Sequence, residues 1–567
     1  MKRNQSIIHR LRNRELVDHS SRSCHRQIQR SLHEHIYPNM TVINIERPPC
    51  IVRKFTPDGK RLIGFSYDQV SIFIYEYLGP DRANDLLENV RLTDDFIEDN
   101  GENRDSLFTN IFKRFFKLKH IIKLAQNDEK LNRECSLFTF DSRYVIVASS
   151  APIIDMPNYY DVLRNNESVS VNVKFFCEDY IIYLIDIKNG KKCDQIVLKT
   201  DNISLPHNQG LYLYDDILAI LSVQHQTIYL YRLDDCKIVG KTFIEVNSIG
   251  RFCYDDDPFV STLHNTETRP LSPSSSDSSN ASASSYLDSQ FDTPTHPYHE
   301  VSFCAMKHRI LAFFYRQAQS QAKEKSNPEL LLTFYRKFDE YCGLRMSKMQ
   351  LLDRDHLLIK YEFGELVAQR LGDQTGFTSY FVFYQISKAK ILDIYSNTSN
   401  ELAQLFENYC DYFRNTHTLY NQAICSSTNN FYARECLHRF KNITNRDHGS
   451  EETTRRVLSL LPLSAQSYTP SPYLDLSLFK YDDRWISPLE RPKVCSEYAI
   501  QFFSRSDGSF RFQIHADRQH IEASLVTLRL VAYTFHPTDP FALSIQRTSS
   551  DIAVHLHFRY IPQELWR

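Results

Sequence analysis

Several features that would mark a common class of protein are scarce in this chain. Its 567 residues hold 14 Gly and two Trp, and a net charge of −2 gives no overall attraction to nucleic acid or acidic lipid. The longest apolar stretch runs from Ile217 to Val223, which is far too short to span a bilayer. Thirteen scattered Cys without a Cys-x-x-Cys pair favour reduced thiols over a disulfide framework. These absences predict a soluble protein of the cell interior that has no membrane contact.

The familiar catalytic motifs are also missing. The sequence has no Gly-x-x-x-x-Gly-Lys loop, no Gly-x-Gly-x-x-Gly, no Gly-x-Ser-x-Gly and no His-Glu-x-x-His. A Cys and three His lie close together between Cys24 and His35, but the flanking arginines would repel a cation. Asp255–Asp257 lacks the glycine and the distal glutamate of a calcium loop. The sequence therefore predicts no catalytic residue, no cofactor and no metal site.

Residues 53–77 carry the clearest structural pattern. A Pro57-Asp58-Gly59 turn leads into the apolar run Leu62–Phe65, and alternating apolar residues follow a second polar corner. Gly59 supplies a positive φ and Pro57 presets its own, so this segment predicts a meander of strands joined by tight turns. The meander resembles one blade of a WD-repeat propeller, with Tyr75-Glu76 in place of the Trp-Asp pair. A propeller is usually a platform for other proteins, which favours binding over catalysis.

The same pattern of strands and turns recurs along the chain. Residues 180–187 enter an Asn189-Gly190 hairpin turn, and three closely spaced strands follow between 211 and 233. A second WD-repeat-like phrase occurs at 535–545. We therefore predict an all-β dominated fold, a degenerate WD-repeat-like β-propeller of seven or eight blades with helical insertions and an N-terminal docking helix. Because the two phrases lie at opposite ends, the ring is expected to close by pairing of terminal strands.

Composition divides the chain into four parts. Residues 1–40 are a basic N-terminal tail, and 41–257 form the first part of the propeller, interrupted by an acidic loop at 81–106. Residues 258–300 are rich in Ser and are predicted to be a disordered insertion, because they cannot bury enough apolar surface to offset their ordering entropy. Residues 301–567 form the second part of the propeller, with helical insertions and the closing C-terminal strands.

Helical insertions are predicted at three places. The apolar residues of 108–115 mark a short amphipathic helix, 328–342 is a second helical stretch, and a capping box at Thr398–Glu401 opens a third. Residues 441–455 are predicted to be an exposed loop. The basic and aromatic residues of 112–123 suggest a nucleic-acid patch, but we favour an amphipathic element with its charges in water.

The first 30 residues carry eight Lys or Arg and only two acids. Ile7, Ile8 and Leu11 recur at helical spacing, and each would gain ~1.5–3 kcal/mol on full burial in a partner groove. Three arginines would lie at the rim of that groove: Arg10, Arg12 and Arg14. We predict that this helix docks onto a partner protein. A disordered basic tail and an Arg-rich transit sequence are the alternatives.

Several phrases of the sequence resemble one protein family. The longest are Leu463–Tyr468 and Ser471–Phe479. Further matching phrases lie at 48–77, 131–139, 207–214, 251–254, 349–353 and 405–408. Together they resemble the de-etiolated homologue family, which represses light signalling in plants. The resemblance covers nearly the whole chain apart from the tail beyond the first helix, the acidic loop and the Ser-rich insertion.

The resemblance implies a nuclear, non-enzymatic subunit of a cullin-RING ubiquitin ligase of the cullin-four type. Such a subunit would bind the large, triple-propeller subunit of the damage-specific DNA-binding protein. It would work with a small accessory subunit and with the constitutively photomorphogenic RING ligase, and it would promote ubiquitination and degradation of transcription factors. Residues 7–11 resemble the short helix that receptors of this class insert into that adaptor.

Two other hypotheses stand beside this one. The family resemblance also implies a chromatin-associated corepressor that binds histone tails, with ligase membership secondary. The third hypothesis is a propeller enzyme with polar residues lining the central channel. Carboxylates or histidines clustered at the channel mouth would favour the enzyme, whereas loss of adaptor binding without the basic tail would favour the ligase subunit.

Overall fold

In a computed structural model of the chain, antiparallel sheets make up most of the regular structure. The structure describes residues 32–43, 45–83, 111–126, 128–154, 157, 162–164, 167–169, 177–233, 243–250, 305–364, 367, 377–415, 426–482, 485–486, 493–494, 499–514, 530–547 and 552–560. The predicted docking helix, most of the acidic loop and the Ser-rich insertion lie outside these residues. No helix within the described ranges is long and apolar enough to cross a membrane.

The first sheet is the predicted meander with one strand added. Its order is β2-β3-β4-β5, and Phe65 of one strand lies opposite Ile72 of the next. Gly59 has a φ of +73° in the first turn, as predicted. The strands are β2 (Cys50–Phe55), β3 (Arg61–Ser66), β4 (Ser71–Tyr77) and β5 (Phe116–Lys123).

The second, third and fourth sheets follow in chain order, and each is antiparallel. Gly190 has a φ of +65° at the predicted Asn-Gly turn, which joins the last two strands of the second sheet. The second sheet contains β6 (Lys130–Leu131), β7 (Leu137–Phe138), β8 (Tyr144–Pro152), β9 (Glu178–Asp186) and β10 (Lys191–Asp201). The third contains β11 (Leu211–Tyr214), β12 (Ile217–Ser222), β13 (Thr227–Leu233) and β14 (Phe243–Ile249). The fourth contains β15 (Leu344–Leu351), β16 (His356–Phe363), β17 (Tyr380–Gln385) and β18 (Lys390–Ser396).

The sixth sheet joins the two ends of the chain. β1 (Met40–Val42) pairs with β25 (Ile552–Phe558), and Met40 lies opposite Phe558. The other strands of this sheet are β20 (Lys493–Val494), β23 (Leu530–Phe535) and β24 (Phe541–Arg547). The fifth sheet contains β19 (Phe479–Lys480), β21 (Ile500–Ser504) and β22 (Phe510–Ile514). An N-terminal strand therefore completes a sheet made of the last strands of the chain.

Shared apolar clusters pack these sheets against one another. One cluster joins the sixth and first sheets, a second joins the first and second, and the largest joins the second, third and fourth. In the first sheet, β2 has no exposed residue whereas β5 is mostly exposed, and in the third sheet β11 is buried whereas β14 is partly exposed. Small antiparallel sheets packed in sequence, with inner strands more buried than outer ones in the two sheets compared, define a degenerate WD-repeat-like β-propeller. The number of blades stays a prediction.

Eight α-helices and three short 3₁₀ helices lie between these strands in the described part of the chain. The 3₁₀ helices are Pro80–Ala83, Pro206–Asn208 and Pro472–Leu474. The α-helices are the larger insertions. They are α1 (Ile111–Phe115), α2 (Ala305–Glu324), α3 (Glu329–Arg336), α4 (Phe338–Cys342), α5 (Asn400–Asn408), α6 (Cys410–Phe413), α7 (Phe431–His448) and α8 (Ser450–Leu458). Ser399 caps α5 by accepting a hydrogen bond from the Leu402 amide, so the predicted start of this helix is confirmed. The sequence did not predict α2.

The predicted exposed loop at 441–455 is wrong, because α7 and α8 occupy it. Asn430 caps α7 by accepting a hydrogen bond from the Ala433 amide. The apolar anchors of α8 are Val457 and Leu458, which are buried against α5 and the fourth sheet. These anchors lie just beyond the polar stretch, so the stretch lacks a helical apolar pattern although tertiary packing makes it helical.

Candidate interaction surfaces

The sequence-predicted docking residues lie outside the described residues. They are Ile7, Ile8, Arg10, Leu11, Arg12 and Arg14. The structure instead describes where this N-terminal segment joins the body, at residues 32–39. We call this stretch the N-terminal root.

Buried side chains fix the N-terminal root to the fifth and sixth sheets. Leu32 and Glu34 are buried, and Ser506 Oγ donates a hydrogen bond of 2.8 Å to Glu34 Oε2. Arg559 Nη1, just after the last strand, donates to the His35 carbonyl at 2.8 Å. The last residues of the predicted basic tail are therefore part of the folded body.

Aromatic contacts complete the N-terminal root. His33 meets the ring of Tyr473 edge-on with centroids 5.7 Å apart, and burial lowers the pKa of His33 to about 4. The Tyr473 hydroxyl donates to the Ile36 carbonyl at 2.6 Å, and Tyr37 stacks on Phe512 at 5.8 Å. His33 is thus a neutral packing residue. Within the described ranges, no group of three or more His, Cys, Asp or Glu is arranged to hold a metal ion.

Two turns of the same construction lie side by side at one end of the first and second sheets. Thr56 Oγ1 donates to Asp58 Oδ1 at 2.6 Å, and Thr139 Oγ1 donates to Asp141 Oδ1 at the same distance. The Asp58 amide donates to Ser142 Oγ at 3.2 Å, which joins one turn to the other. The first turn of each sheet is therefore held both internally and by its neighbour.

His536 links the sixth sheet to the first in a similar way. Its Nδ1 accepts the Asp539 amide at 2.8 Å, so Nε2 carries the proton and donates to the Gly59 carbonyl at 2.8 Å. Burial lowers the pKa of His536, which keeps the ring neutral. A Cβ atom at position 59 would lie 2.5 Å from His536 Cε1, so this contact requires glycine.

The turns of the third and fourth sheets are joined by charge. Arg354 forms ion pairs with Asp215 and Asp216, the latter at 3.0 Å. Asp353 accepts a hydrogen bond of 2.6 Å from the Tyr412 hydroxyl, which attaches the helical insertion to the same turn. Contacts between turns therefore form two groups: one links the turns at 56–60, 139–143 and 536–540, and the other links those at 215–216 and 353–355.

Residues 461–468 lie along the inner strands of four consecutive sheets, and we call them the axial segment. Gln466 accepts the Phe138 amide of β7 at 2.9 Å and donates back to the Phe138 carbonyl at 2.6 Å. Lys54 of β2 donates to the Gln466 carbonyl at 2.5 Å. Asn208, just before β11, donates to the Ala465 carbonyl at 3.1 Å.

Gln350 of β15 completes the attachment of the axial segment. Its side-chain oxygen accepts the Leu463 amide at 2.8 Å, and its nitrogen donates to the Phe413 carbonyl. Leu461, Leu463 and Ala465 are all buried. The chain's own backbone therefore lies against the inner strands of four sheets, whose polar side chains the enzyme hypothesis expected to be open to a substrate.

Sequence reasoning missed the three amides that hold the axial segment. Asn208, Gln350 and Gln466 all lie within the phrases that carry the family resemblance, but no local pattern gave them a role. The available signal was a glutamine inside an apolar strand, since Gln350 is fully buried in β15. A buried amide needs hydrogen-bond partners, which predicts a polar chain segment beside that strand.

The fold and these surfaces define a β-propeller in which one segment of the chain binds the inner strands of four sheets and the N-terminal segment is anchored to the body. The sequence profile of the family described as "De-etiolated protein 1 Det1" matches residues 133–560. The chain belongs to this family, as its phrases predicted.

Two plant relatives match almost end to end. The "Light-mediated development protein DET1" of Arabidopsis thaliana is 29% identical over 548 residues, which cover 94% of this chain and 95% of the relative. The protein of the same name from Solanum lycopersicum is 28% identical over 539 residues, with 94% of each chain covered.

Comparison with solved structures gives distant propellers. The Myceliophteria thermophila Cps50 (Swd1) β-propeller domain matches with a TM-score of 0.30 and 8% identity, covering 92% of this chain and 100% of that one. The C-terminal WD40 domain of Sif2 matches with a TM-score of 0.22 and 6% identity, covering 92% and 98%. At such scores the fold assignment depends on the sheet topology and packing described above.

Proposed function

We propose that this protein is a non-catalytic, substrate-recruiting or scaffold subunit of a nuclear cullin-RING ubiquitin ligase of the cullin-four type. It would bind the large subunit of the damage-specific DNA-binding protein through its N-terminal helix and promote ubiquitination of transcription factors. The small accessory subunit and the constitutively photomorphogenic RING ligase would join the same assembly. Its contribution is proximity, because holding a target near a charged conjugating enzyme makes the attack effectively intramolecular.

The observation that carries this proposal is the N-terminal root. Because Leu32 and Glu34 are buried in the body, the predicted anchor Leu11 can lie at most about 75 Å from that attachment. A helix bound to an adaptor would then keep the propeller close to the ligase. If the tail were flexible up to the first strand, the longer linker would lower the effective concentration of the propeller near the ligase.

The axial segment supports a binding role over a catalytic one. In the propeller enzyme hypothesis, substrate would reach polar side chains along the axis. Here Gln350, Gln466 and Asn208 are engaged with backbone groups of the axial segment. Partners would therefore bind at the rims and faces of the propeller.

Deletion of residues 1–31 tests the docking helix while leaving the N-terminal root in place. We expect adaptor capture by the purified chain to fall at least tenfold, and thermal stability to stay within a few degrees of the full chain. The double substitution Ile8→Asp with Leu11→Asp should reproduce the loss, because it replaces two apolar anchors by charges. Ile154→Asp is the matched control, since Ile154 is 76% exposed in the body.

If adaptor capture survives the deletion, or if the double substitution stays within twofold, the docking assignment is wrong. Histone-tail peptides measured on the same variants address the corepressor hypothesis. A dissociation constant for the histone-tail peptide that is lower than that for the adaptor would favour the corepressor hypothesis. Affinity purification followed by mass spectrometry then identifies which subunits accompany the full chain.

A further inference from the structure

A basic surface with exposed aliphatic side chains lies at the outer edge of the first and second sheets. Segments 116–123 and 187–192 contain no Asp or Glu. They carry six exposed lysines: Lys117, Lys119, Lys123, Lys188, Lys191 and Lys192. Lys119 forms an ion pair of 2.9 Å with Glu76 of β4, so the basic character comes chiefly from the other five. This concentration of charge contrasts with a net charge of −2 for the whole chain. We call it the basic edge.

Direct contacts place the two segments of the basic edge together. His120 Nε2 lies 3.1 Å from the Lys188 carbonyl, and the His120 ring packs against Gly190. A Cβ atom at position 190 would lie 2.4 Å from His120 Cγ, so only glycine allows the turn to sit this close to β5. The lysines of one strand and of the neighbouring hairpin therefore share a single surface.

Apolar side chains interrupt this charged surface. Leu118 is 42% exposed and Ile121 is 56% exposed, both on the outermost strand of the first sheet. Lysines on an edge strand also prevent unwanted strand addition, and a register shift between Ile74 and Tyr75 has the same effect. Protection of the edge also accounts for Lys191 and Lys192, which lie on β10 at the edge of the second sheet. It explains neither Lys188 of the preceding turn nor the exposed Leu118 and Ile121.

We propose that the basic edge binds an acidic, leucine-containing peptide segment of a partner protein. Carboxylates would meet the lysines, and the partner's aliphatic side chains would cover Leu118 and Ile121. Nucleic acid fits this surface less well, because its phosphates gain nothing from exposed Leu and Ile and the basic groups are lysines, which lack the planar fork of arginine. The peptide would be bound by side chains and would not add a strand to the sheet, because the register shift between β4 and β5 disfavours strand addition at this edge.

Fluorescence anisotropy on the full-length chain tests the proposal. The probes are a labelled 12-residue peptide alternating Glu and Leu, the same peptide with Ser for Leu, and a single-stranded oligonucleotide of equal charge. We expect the Glu-Leu peptide to bind most tightly, with an affinity that falls as salt is raised. The triple substitution Lys117→Glu, Lys188→Glu and Lys191→Glu should weaken it by about tenfold or more.

Two further variants separate charge from apolar contact. Leu118→Ser with Ile121→Ser should weaken the Glu-Leu peptide several-fold while leaving the Glu-Ser peptide within twofold. The matched charge control is Lys323→Glu, Lys325→Glu and Lys337→Glu on the exposed surface of α2 and the residues after α2 and α3, which should leave all probes unchanged.

Three results would overturn the proposal. Tighter binding of the oligonucleotide would make this a nucleic-acid surface. An equal loss in the control triple variant would show that only general charge matters. A gain of more than fivefold when the acids of residues 84–106 are neutralised would identify the chain's own acidic segment as the occupant. None of these outcomes depends on residues 7–14, so they are independent of the proposed adaptor helix.

Discussion

The junction between the sixth and first sheets is held by apolar contacts, whereas the axial segment is held by hydrogen bonds. Around Phe541, which is fully buried, the rings of Tyr77 and Phe115 each lie 5.1 Å away. The axial segment is instead held by amide side chains such as Gln350 and Gln466. An aromatic cluster loses stability in proportion to the volume removed, whereas a buried amide that loses its partner leaves a polar group without compensation. The aromatic cluster should therefore lose stability in steps that follow the size of the substituted side chain, whereas any substitution that removes an amide from the axial segment should be costly.

The largest effect is expected in the aromatic cluster. Phe541→Ala should lower the free energy of unfolding by about 3–5 kcal/mol, and Phe541→Leu by less than about 1.5 kcal/mol. Urea unfolding followed by circular dichroism measures both. Phe510→Ala is the control, since Phe510 is 50% exposed and should change little. A Phe541→Leu cost close to that of Phe541→Ala would remove the graded behaviour on which the comparison depends.

The axial segment should respond to a change that conserves volume. Gln350→Leu leaves the Leu463 amide and the Phe413 carbonyl without their partner, at a cost of about 2–4 kcal/mol. Hydrogen exchange of the Leu463 amide should accelerate in the variant. The exposed Gln321→Leu on α2 serves as control. Unchanged exchange at Leu463 would show that the Gln350 side chain does not hold this segment.

Acid should weaken the N-terminal root. Because the pKa of His33 is about 4 in the folded chain and 6.5 is the ordinary value for histidine, the unfolded chain binds more protons between these limits. Stability therefore falls as pH drops from about 6.5 to 4, by up to about 3 kcal/mol from this group. His33→Phe keeps a ring against Tyr473 and should remove that part of the pH dependence. Burial raises the pKa of Asp201 to about 6, so this group makes stability rise as pH drops. Asp201 is present in both the parent chain and the His33→Phe variant, so its contribution cancels when the two are compared. Equal pH slopes for the two proteins would contradict this assignment.

The smallest effect compares the two matching turns. Thr56→Val and Thr139→Val each remove a hydroxyl that donates to a carboxylate at 2.6 Å, and each should cost about 1 kcal/mol. Thr139 follows Phe138, which binds Gln466, whereas Thr56 follows Phe55, whose ring packs against that of His536 at 4.9 Å. A clearly larger cost at Thr139 would show that the axial segment depends on this turn. Thermal unfolding of the two single variants and the double variant measures both the costs and their coupling.

The sequence predicted those parts of the fold whose causes are local. Gly59 and Gly190 occupy left-handed backbone positions in turns, with φ of +73° and +65°, because the turn types require it. Contacts between distant residues were not predictable in this way. Gln350 and Leu463 are 113 positions apart, and His536 and Gly59 are 477 apart. No periodicity relates such pairs, so neither the pairing of the axial segment with its strands nor the link between the sixth and first sheets leaves a signal in the sequence.

For the candidate surfaces, too, the sequence predicted local features but not the contacts between distant residues. The sequence indicated the basic character of 112–123, which the structure divides between the end of α1 and β5, but it did not bring Lys188 beside His120. It also proposed a tail ending at residue 40, whereas Leu32 and Glu34 are already buried. Burial of a few residues in a charged segment leaves no repeating signal. The residues predicted to contact the adaptor stay a prediction.

Pairing of β1 with β25 has a consequence for biosynthesis. Val42 ends β1, and its partner strand β25 begins at Ile552, so the ribosome adds about 510 residues between the two strands. At ordinary elongation rates this delay is about 25 to 100 s, during which the unfinished sheet exposes an unpaired border. A nascent polypeptide in this condition is a natural client for chaperones, and a premature stop codon that removes only the final strands would leave that border permanently open to aggregation.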